Sequence, residues 1–330
     1  MAFVVDGEDW RFDGLTNATV ENLIEQFLDK LSDALERGET IWIGDDLQTR
    51  PVLGTRDLWS LRDVDSGISI DEAIWQELAA YLPRTPRYAD EQDWPPNVDD
   101  IELKIGEHSL VENADVAWAH HSVRAGRAVG CIGLSRSGQI ATESIQGTAL
   151  LHWISDSHSK AVFWRAAIEI EGNSQKDFAR LAHRAYPDLF FYEQVLATAD
   201  DFSGGYYTHA TTLKRYLEAL NDHGHWVFTT PPPRVSRNDT LGDNQGAPSA
   251  QLMQRRFEHL GLDIAPENPN VYQNNQSRIA RQINLKNKTL YCEWHCKLQP
   301  HQNRIHIHAP TSESNDKVVI AIFTTHLPLP

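Results

Sequence analysis

Cysteine is scarce. Cys131, Cys292 and Cys296 are the three in 330 residues, too few and too odd in number for a disulfide framework. Long apolar runs are missing too. The longest, Val318 to Phe323, falls far short of the roughly 20 residues a helix needs to cross a bilayer. The amino end meets its first acid at Asp6, too early for the apolar core of a secretory leader. A soluble, cytoplasmic protein with no membrane partner is the expectation. Positive charge is the third scarcity: 30 Lys and Arg stand against 46 Asp and Glu, a net charge of −16. A chain that coats nucleic acid over its whole surface is thereby excluded.

What is present is core-forming material. Apolar residues make up 41%, with ten Trp, eleven Phe and nine Tyr, so disorder throughout is excluded. The length argues for two domains. Charge is unevenly spread. Residues 1–100 hold 23 acids against 8 Lys and Arg, and residues 101–250 hold 17 against 13. Residues 251–330 reverse the balance with 6 against 9, and carry six of the fifteen histidines. An acidic front and a mildly basic, His-rich tail is the first functional clue.

Periodicity predicts a helix over Val20 to Arg37, with Thr19 as N-cap and Gly38 past the end, and another over Ile70 to Leu82, stopped by Pro83. Thr40 to Gly44 between them reads as a strand. Arg84 to Asp100, with three prolines and five acids, reads as an acidic loop. From Asp115 to Ile154 the period falls towards two, predicting strands over Ala117 to Ser122, Ala128 to Leu134 and Thr148 to Ile154. On the first of these, His120 and His121 point opposite ways. Helices resume at Lys160 to Ile170, after Ser174 with Asp177 in a near capping box, and from Thr208 or Thr211 to Gly224. Pro231 to Pro248 has few large apolar side chains and reads as a Pro/Asn/Gly-rich linker. The expected plan is α+β: an acidic domain of mixed helix and antiparallel sheet at 1–230, the linker at 231–248, and a small β-rich domain at 249–330, opening with a helix near Ala250 to Leu260.

The tail carries the chemistry. Thr289 to Leu298 alternates, with Cys292, Trp294 and Cys296 on one face and Tyr291, Glu293, His295 and Lys297 on the other. Asn303 to Ala309 alternates too, placing Arg304, His306 and His308 outward. A hairpin through Gln299–Gln302 pairs Lys297 with Arg304, His295 with His306, and Glu293 with His308; a three-residue loop would slip this register by one. Two cations directly opposite one another destabilise a sheet. A phosphate lying on the face turns that repulsion into an anion clamp, Arg offering a planar fork and Lys a point charge. The His pair titrates near neutrality, one ring taking and the other giving a proton, with Glu293 to orient an imidazole or act as base. Clamp and shuttle together meet the needs of RNA cleavage by its own 2′-hydroxyl without a metal or other cofactor. Two other readings compete: a solvated sheet face that binds an anionic ligand or a protein without catalysis, and a zinc-dependent hydrolase built on His306-x-His308 with His295 or Glu293. Lys297 and Arg304 disfavour the cation.

The stretches Tyr291-Cys-Glu-Trp-His-Cys-Lys297, Asn303-Arg-Ile-His-Ile-His308 and Val318 to His326 resemble the RelE/ParE-type toxin fold of bacterial ribosome-associated endoribonucleases, over about the last eighty residues. The resemblance implies a toxin or phage-defence effector whose partner is RNA, ribosome-bound mRNA included, with a regulatory or inhibitory protein beside it. It implies that Arg304 and Lys297 stabilise the phosphorane, that His295, His306 or Glu293 act as acid and base, and that His308, His326 and Tyr291 support them. Elsewhere the readings are structural. Ser135 in Gly133-Leu-Ser-Arg-Ser-Gly138 does not fit a nucleophile elbow, since Ser137 replaces its second glycine. Asp45-Asp46 is a loop pair able to meet a cation.

Overall fold

The structure, a computed structural model, describes residues 2–91, 94, 101–229 and 248–330. The architecture is α+β, divided into two compact units at Met1–Gly172 and Asn173–Pro330.

The first unit is built on seven strands: β1 Ala2–Val5, β2 Thr40–Trp42, β3 Glu102–Ile105, β4 Val111–Glu112, β5 Val129–Ile132, β6 Gly138–Ser144 and β7 Gly147–Trp153, in the order β2-β1-β5-β7-β6-β3-β4. The first four are mutually parallel, and only the β7-β6-β3-β4 half has the antiparallel pairing expected of the whole domain. Parallel strands are buried on both faces and so are apolar throughout: Phe3, Val4 and Val5 are all enclosed. Phe3 meets Phe163 and Trp164 on one face, while Val4 joins Trp42, Trp118 and Trp153 on the other.

Helices α1 Asn17–Glu36, α2 Glu72–Tyr81, α3 Tyr88–Glu91, α4 Ala114–Arg124 and α5 Ser157–Ile170 complete this unit. Val20, Ile24, Phe27, Leu28 and Leu31 form the buried stripe of α1, and its cap is Thr16, not Thr19: the Thr16 hydroxyl accepts from the Thr19 amide. Helix α4 overturns the strand expected at Ala117–Ser122. Asn113 caps it by accepting from the Val116 amide at 3.0 Å, and every residue from Asp115 to Ser122 is buried. A helix enclosed on all sides has no polar stripe to reveal its 3.6-residue period. His120 and His121 therefore lie side by side in the core, His120 between the hydroxyls of Thr142 and Ser144.

The second unit begins earlier than expected. It comprises α6 Gln175–Ala185, β8 Leu189–Phe191, α7 Gly205–Phe228, α8 Ala250–His259, β9 Ile264–Pro266, α9 Pro269–Gln273, α10 Asn275–Ile279, β10 Gln282–Leu285, β11 Lys288–Tyr291, β12 Trp294–Lys297, β13 Arg304–His308 and β14 Val318–Thr324. Five strands form one sheet, β8-β14-β13-β12-β9. Because β8 is an edge strand parallel to β14, residues 173–229 belong with the tail, and the expected domain boundary at 231–248 moves back to Gly172. The linker itself, up to residue 247, lies outside the described residues.

Helices cover one face of this sheet. Phe257 of α8 packs on Trp294, ring centres 5.4 Å apart. Tyr216 of α7 donates to the Lys297 carbonyl and accepts from the Asp263 amide. Gly224 does not end α7 as expected but lies inside it, where a Cβ would come within 2.8 Å of Val318 Cγ2. The small β10–β11 hairpin covers the other face, with Ile283, Leu285, Leu290 and Cys292 against Val319 and Ala321. The expected continuous strand Thr289–Leu298 is thus two strands, β11 and β12, broken at Cys292–Glu293. Cys292 turns into the hairpin core, its amide donating to the Arg281 carbonyl, and no longer shares a face with Cys296.

Gly130 of β5 tests the packing of the first sheet. A Cβ there would stand 2.9 Å from Phe3 Cδ1 and 3.2 Å from Phe163 Cδ2. Overpacking of this kind costs about 1–3 kcal/mol, so Gly130→Ala is expected to lower the urea midpoint accordingly. An unchanged midpoint would show that the rings have room.

Candidate functional site

Strand β9 pairs antiparallel with β12, Ala265 opposite His295. The two-residue period puts Glu267 on the same face as Ala265, and the Glu267 amide extends the ladder by donating to the Glu293 carbonyl at 2.7 Å. On the other side of β12 the hairpin register is the expected one: Lys297 opposite Arg304 and His295 opposite His306. Glu267, His295 and His306 therefore share one face across three strands. Arg281, just before β10, reaches the same point from the covering layer.

Three groups converge on one oxygen. Glu267 Oε1 lies 2.7 Å from Arg281 Nε, 3.4 Å from His295 Nδ1 and 3.6 Å from His306 Nδ1. Arg281 is held by the carbonyls of Ser277 and Pro328, to which its Nη1 donates. Burial pushes the Glu267 carboxyl up, but the His295 and Arg281 contacts outweigh it and hold the group down at about 2, so it is ionised. A buried carboxylate needs such a partner.

The two imidazoles have different fates. His306 is 2% exposed, both its ring nitrogens enclosed without a hydrogen-bond partner, and burial pulls it down to about 3 despite Glu267. It is a neutral core group, which overturns the expected His–His proton shuttle. His295 keeps 15% of its side chain exposed. Its Nδ1 is the enclosed nitrogen, 3.4 Å from Glu267 Oε1 in an ion-pair contact without hydrogen-bond geometry, which leaves Nε2 as the outward one. A carboxylate on Nδ1 that fixes the ring and leaves Nε2 to act is how an imidazole is prepared for proton transfer.

The cation pair is largely committed. Arg304 donates through Nη1 to the carbonyls of Gln299 and Gln302 and through Nη2 to that of Pro300. Its fork closes the hairpin turn instead of gripping phosphate, and this relieves the repulsion with Lys297 that pointed to an anion clamp. Lys297 pairs with Asp263 at 3.0 Å, the two side chains 29% and 59% exposed, a contact weak enough for a ligand to replace. Glu293 is exposed and accepts from Trp294 Nε1; the strand break removes it from the ladder, so it faces no imidazole. His308 bonds the Ala309 carbonyl and His326 the Leu327 carbonyl. Neither reaches Glu267. Tyr291 does belong to the cluster: its hydroxyl is enclosed without a partner, and burial, with Glu267 nearby, pushes the phenol up. Its ring edge meets Tyr272, which is 52% exposed and lies under Arg278.

The zinc alternative fails geometrically. His306 is buried beneath the covering layer while His308 bonds the Ala309 carbonyl, Arg281 occupies the carboxylate, and among the described residues no group of three or more His, Cys, Asp or Glu is placed to hold a metal ion. Sequence reasoning missed Glu267 and Arg281. Glu267 sits in Pro-Glu-Asn-Pro, which reads as a turn, and only the pairing of β9 with β12 brings it to the site.

A second charged cluster gathers at the carboxyl ends of the parallel strands in the first unit. Asp6, Asp9 and Asp115 are buried there. Arg136 pairs with Asp6, and Arg50 contacts Asp46, Glu8 and Asp115. Burial pushes Asp115 up to about 6 against the pull of Arg50. Asp9 accepts from the amides of Ser135 and Arg136 and from the Ser135 hydroxyl, which gives Ser135 a structural partner. The loop pair Asp45-Asp46 faces Arg87 and Arg50. Two arginines thus pair with part of the cluster from within, and backbone amides take up Asp9.

Charge divides along the unit boundary: residues 1–172 hold 31 acids against 14 Lys and Arg, and residues 173–330 hold 15 against 16. Among the described residues no helix is long and apolar enough to cross a membrane. No protein-family model, curated protein or solved structure matches the chain.

His306 makes stability depend on pH. In the unfolded chain a histidine binds its proton below about 6.5, whereas folded His306 does so only below about 3. The unfolded state therefore holds more protons between these limits, and folding weakens as pH falls from 6.5 at about 1.4 kcal/mol per unit. Urea denaturation of His306→Gln is expected to retain about 2 kcal/mol of what the parent loses between pH 7 and 5. Parallel losses would show that the imidazole is solvated.

Proposed function

We propose that the second unit is a metal-independent endoribonuclease, acting in a cytoplasmic toxin or phage-defence setting. The observation that carries this reading is His295, with Nδ1 3.4 Å from the Glu267 carboxylate, Nε2 outward and Lys297 two residues along the same face. The resemblance of residues 249–330 to RelE/ParE-type toxins points the same way. So does the charge division, since residues 173–330 carry 15 acids against 16 Lys and Arg, without the acidic excess of the first unit that would repel RNA.

In this mechanism His295 Nε2 takes the proton from a ribose 2′-hydroxyl. The 2′-oxygen bonds to phosphorus, Lys297 exchanges Asp263 for the phosphorane oxygens, and the bond to the 5′-oxygen breaks. The Lys297 ammonium protonates the departing oxygen, leaving a 2′,3′-cyclic phosphate and a 5′-hydroxyl, and the proton on His295 returns the site to its starting state through water. Glu267 lies against the imidazole and orients it. Arg281 is the counter-ion that keeps Glu267 ionised. Exposed Tyr272, with Arg278 above it, offers a base a stacking surface beside the site.

A second reading has its own support. Arg304 is spent on the hairpin turn and His306 is enclosed, which favours a non-enzymatic module that binds an anionic ligand or protein partner through Lys297 and Tyr272.

Incubation of the full chain with single-stranded RNA in EDTA separates the two. Cleavage to cyclic-phosphate ends is expected, blocked by a 2′-deoxy nucleotide at the scissile position and reduced at least ~100-fold in His295→Ala, while His306→Gln stays within a fewfold of the parent. RNA retained but uncut would favour the binding module. Cleavage undiminished in His295→Ala would remove the imidazole from the mechanism.

A further inference from the structure

A cavity of about 190 Å³ opens in the first unit between α1 and α5, above the ends of β5 and β7. Its floor is apolar, made by Phe3, Ile132 and Ile154. The ends of parallel strands beside a reversal of strand order, here where β1 has β2 on one side and β5 on the other, are where open α/β sheets place ligands.

The charged lining is bonded except at Lys30 and at Asp29, which is turned to water. Lys160 is bound on both sides, 2.6 Å from Asp33 and 2.6 Å from Glu39. Asp156 caps α5, accepting from the Ser159 amide at 2.7 Å. Asp9, whose field reaches the cavity, is taken up by Ser135 and Arg136. Asp29 is exposed to water. Lys30 is half-buried, and no described side chain forms a hydrogen bond or ion pair with it. Burial pulls its ammonium below the ordinary lysine range, against the fields of Asp9 and Asp156. A partly desolvated ammonium over an apolar floor has no carboxylate in contact with it: Asp33 and Asp156 are bonded to Lys160 and to the start of α5, and Asp29 is turned to water.

We propose that this cavity binds a small ligand with one anionic head and an apolar body, the head on Lys30 and the body on Ile132 and Ile154. Size narrows the class. Drug-sized sites run from about 300 Å³ upward, whereas this one has room for about six waters at ~30 Å³ each. A small aromatic or aliphatic carboxylate or phosphomonoester fits, and a nucleotide does not. The site owes nothing to the nuclease reading of the second unit.

Calorimetric titration of the full chain with benzoate, phenyl phosphate and benzylamine tests this. Saturable binding of at least one of the two anions is expected, at least ~10-fold weaker in Lys30→Met and partly restored in Lys30→Arg, with no displacement by benzylamine. The better of the two anions identifies the head group. Lys30 is not in the core, so these variants keep the fold, which circular dichroism checks. The proposal is overturned if neither anion binds the parent saturably, if Lys30→Met binds them equally well, or if benzylamine is the ligand that binds.

Discussion

One carboxylate oxygen organises the second unit. Glu267 Oε1 is approached by a guanidinium and two imidazoles, and it is enclosed, its side chain 8% exposed. An ionised carboxylate in that position is stable only while its cation stays in place. Arg281 fulfils this, and its own tethers to the Ser277 and Pro328 carbonyls tie the covering layer to the sheet. The same oxygen sets the orientation of His295. Structure and chemistry at this point rest on a common electrostatic contact.

The two units answer the problem of buried charge alike and reach different ends. In the first, Arg50 and Arg136 close an acidic cluster, and the carboxylates there support loops: Asp9 gathers the 135–136 turn, and Asp115 accepts from the Gly7 amide and the Tyr88 hydroxyl. In the second, a lone arginine balances a lone carboxylate, and an imidazole at the edge of the pair keeps one nitrogen facing outward. Full internal pairing makes a rigid support. Incomplete pairing next to solvent leaves a group free to exchange protons.

Local pattern made much of the fold legible. Helices α1, α2, α6 and α8 bury one stripe each, and such stripes show as a 3.6-residue period. Helix α4 was hidden because Val116 to Ser122 are buried on every side. The β12–β13 register was readable because a short turn joins strands of clear alternation. The β9–β12 and β8–β14 pairings were not, because they join segments far apart in the chain, and no local period reports on a distant neighbour. This is also why the second unit begins at Asn173 and not beyond the proline-rich stretch.

By itself the amino-acid order determined that His295 and His306, and Lys297 and Arg304, are cross-strand neighbours on one side of a ribbon, since alternation and a short turn suffice for that. Only the tertiary structure decided which of them meet water. The β10–β11 hairpin folds over the ribbon, closes His306 in and leaves His295 at the rim, while the turn carbonyls claim Arg304 and strand β9 delivers Glu267. Side-chain direction is a property of the local backbone, but solvation and pairing belong to whatever the rest of the chain packs against it.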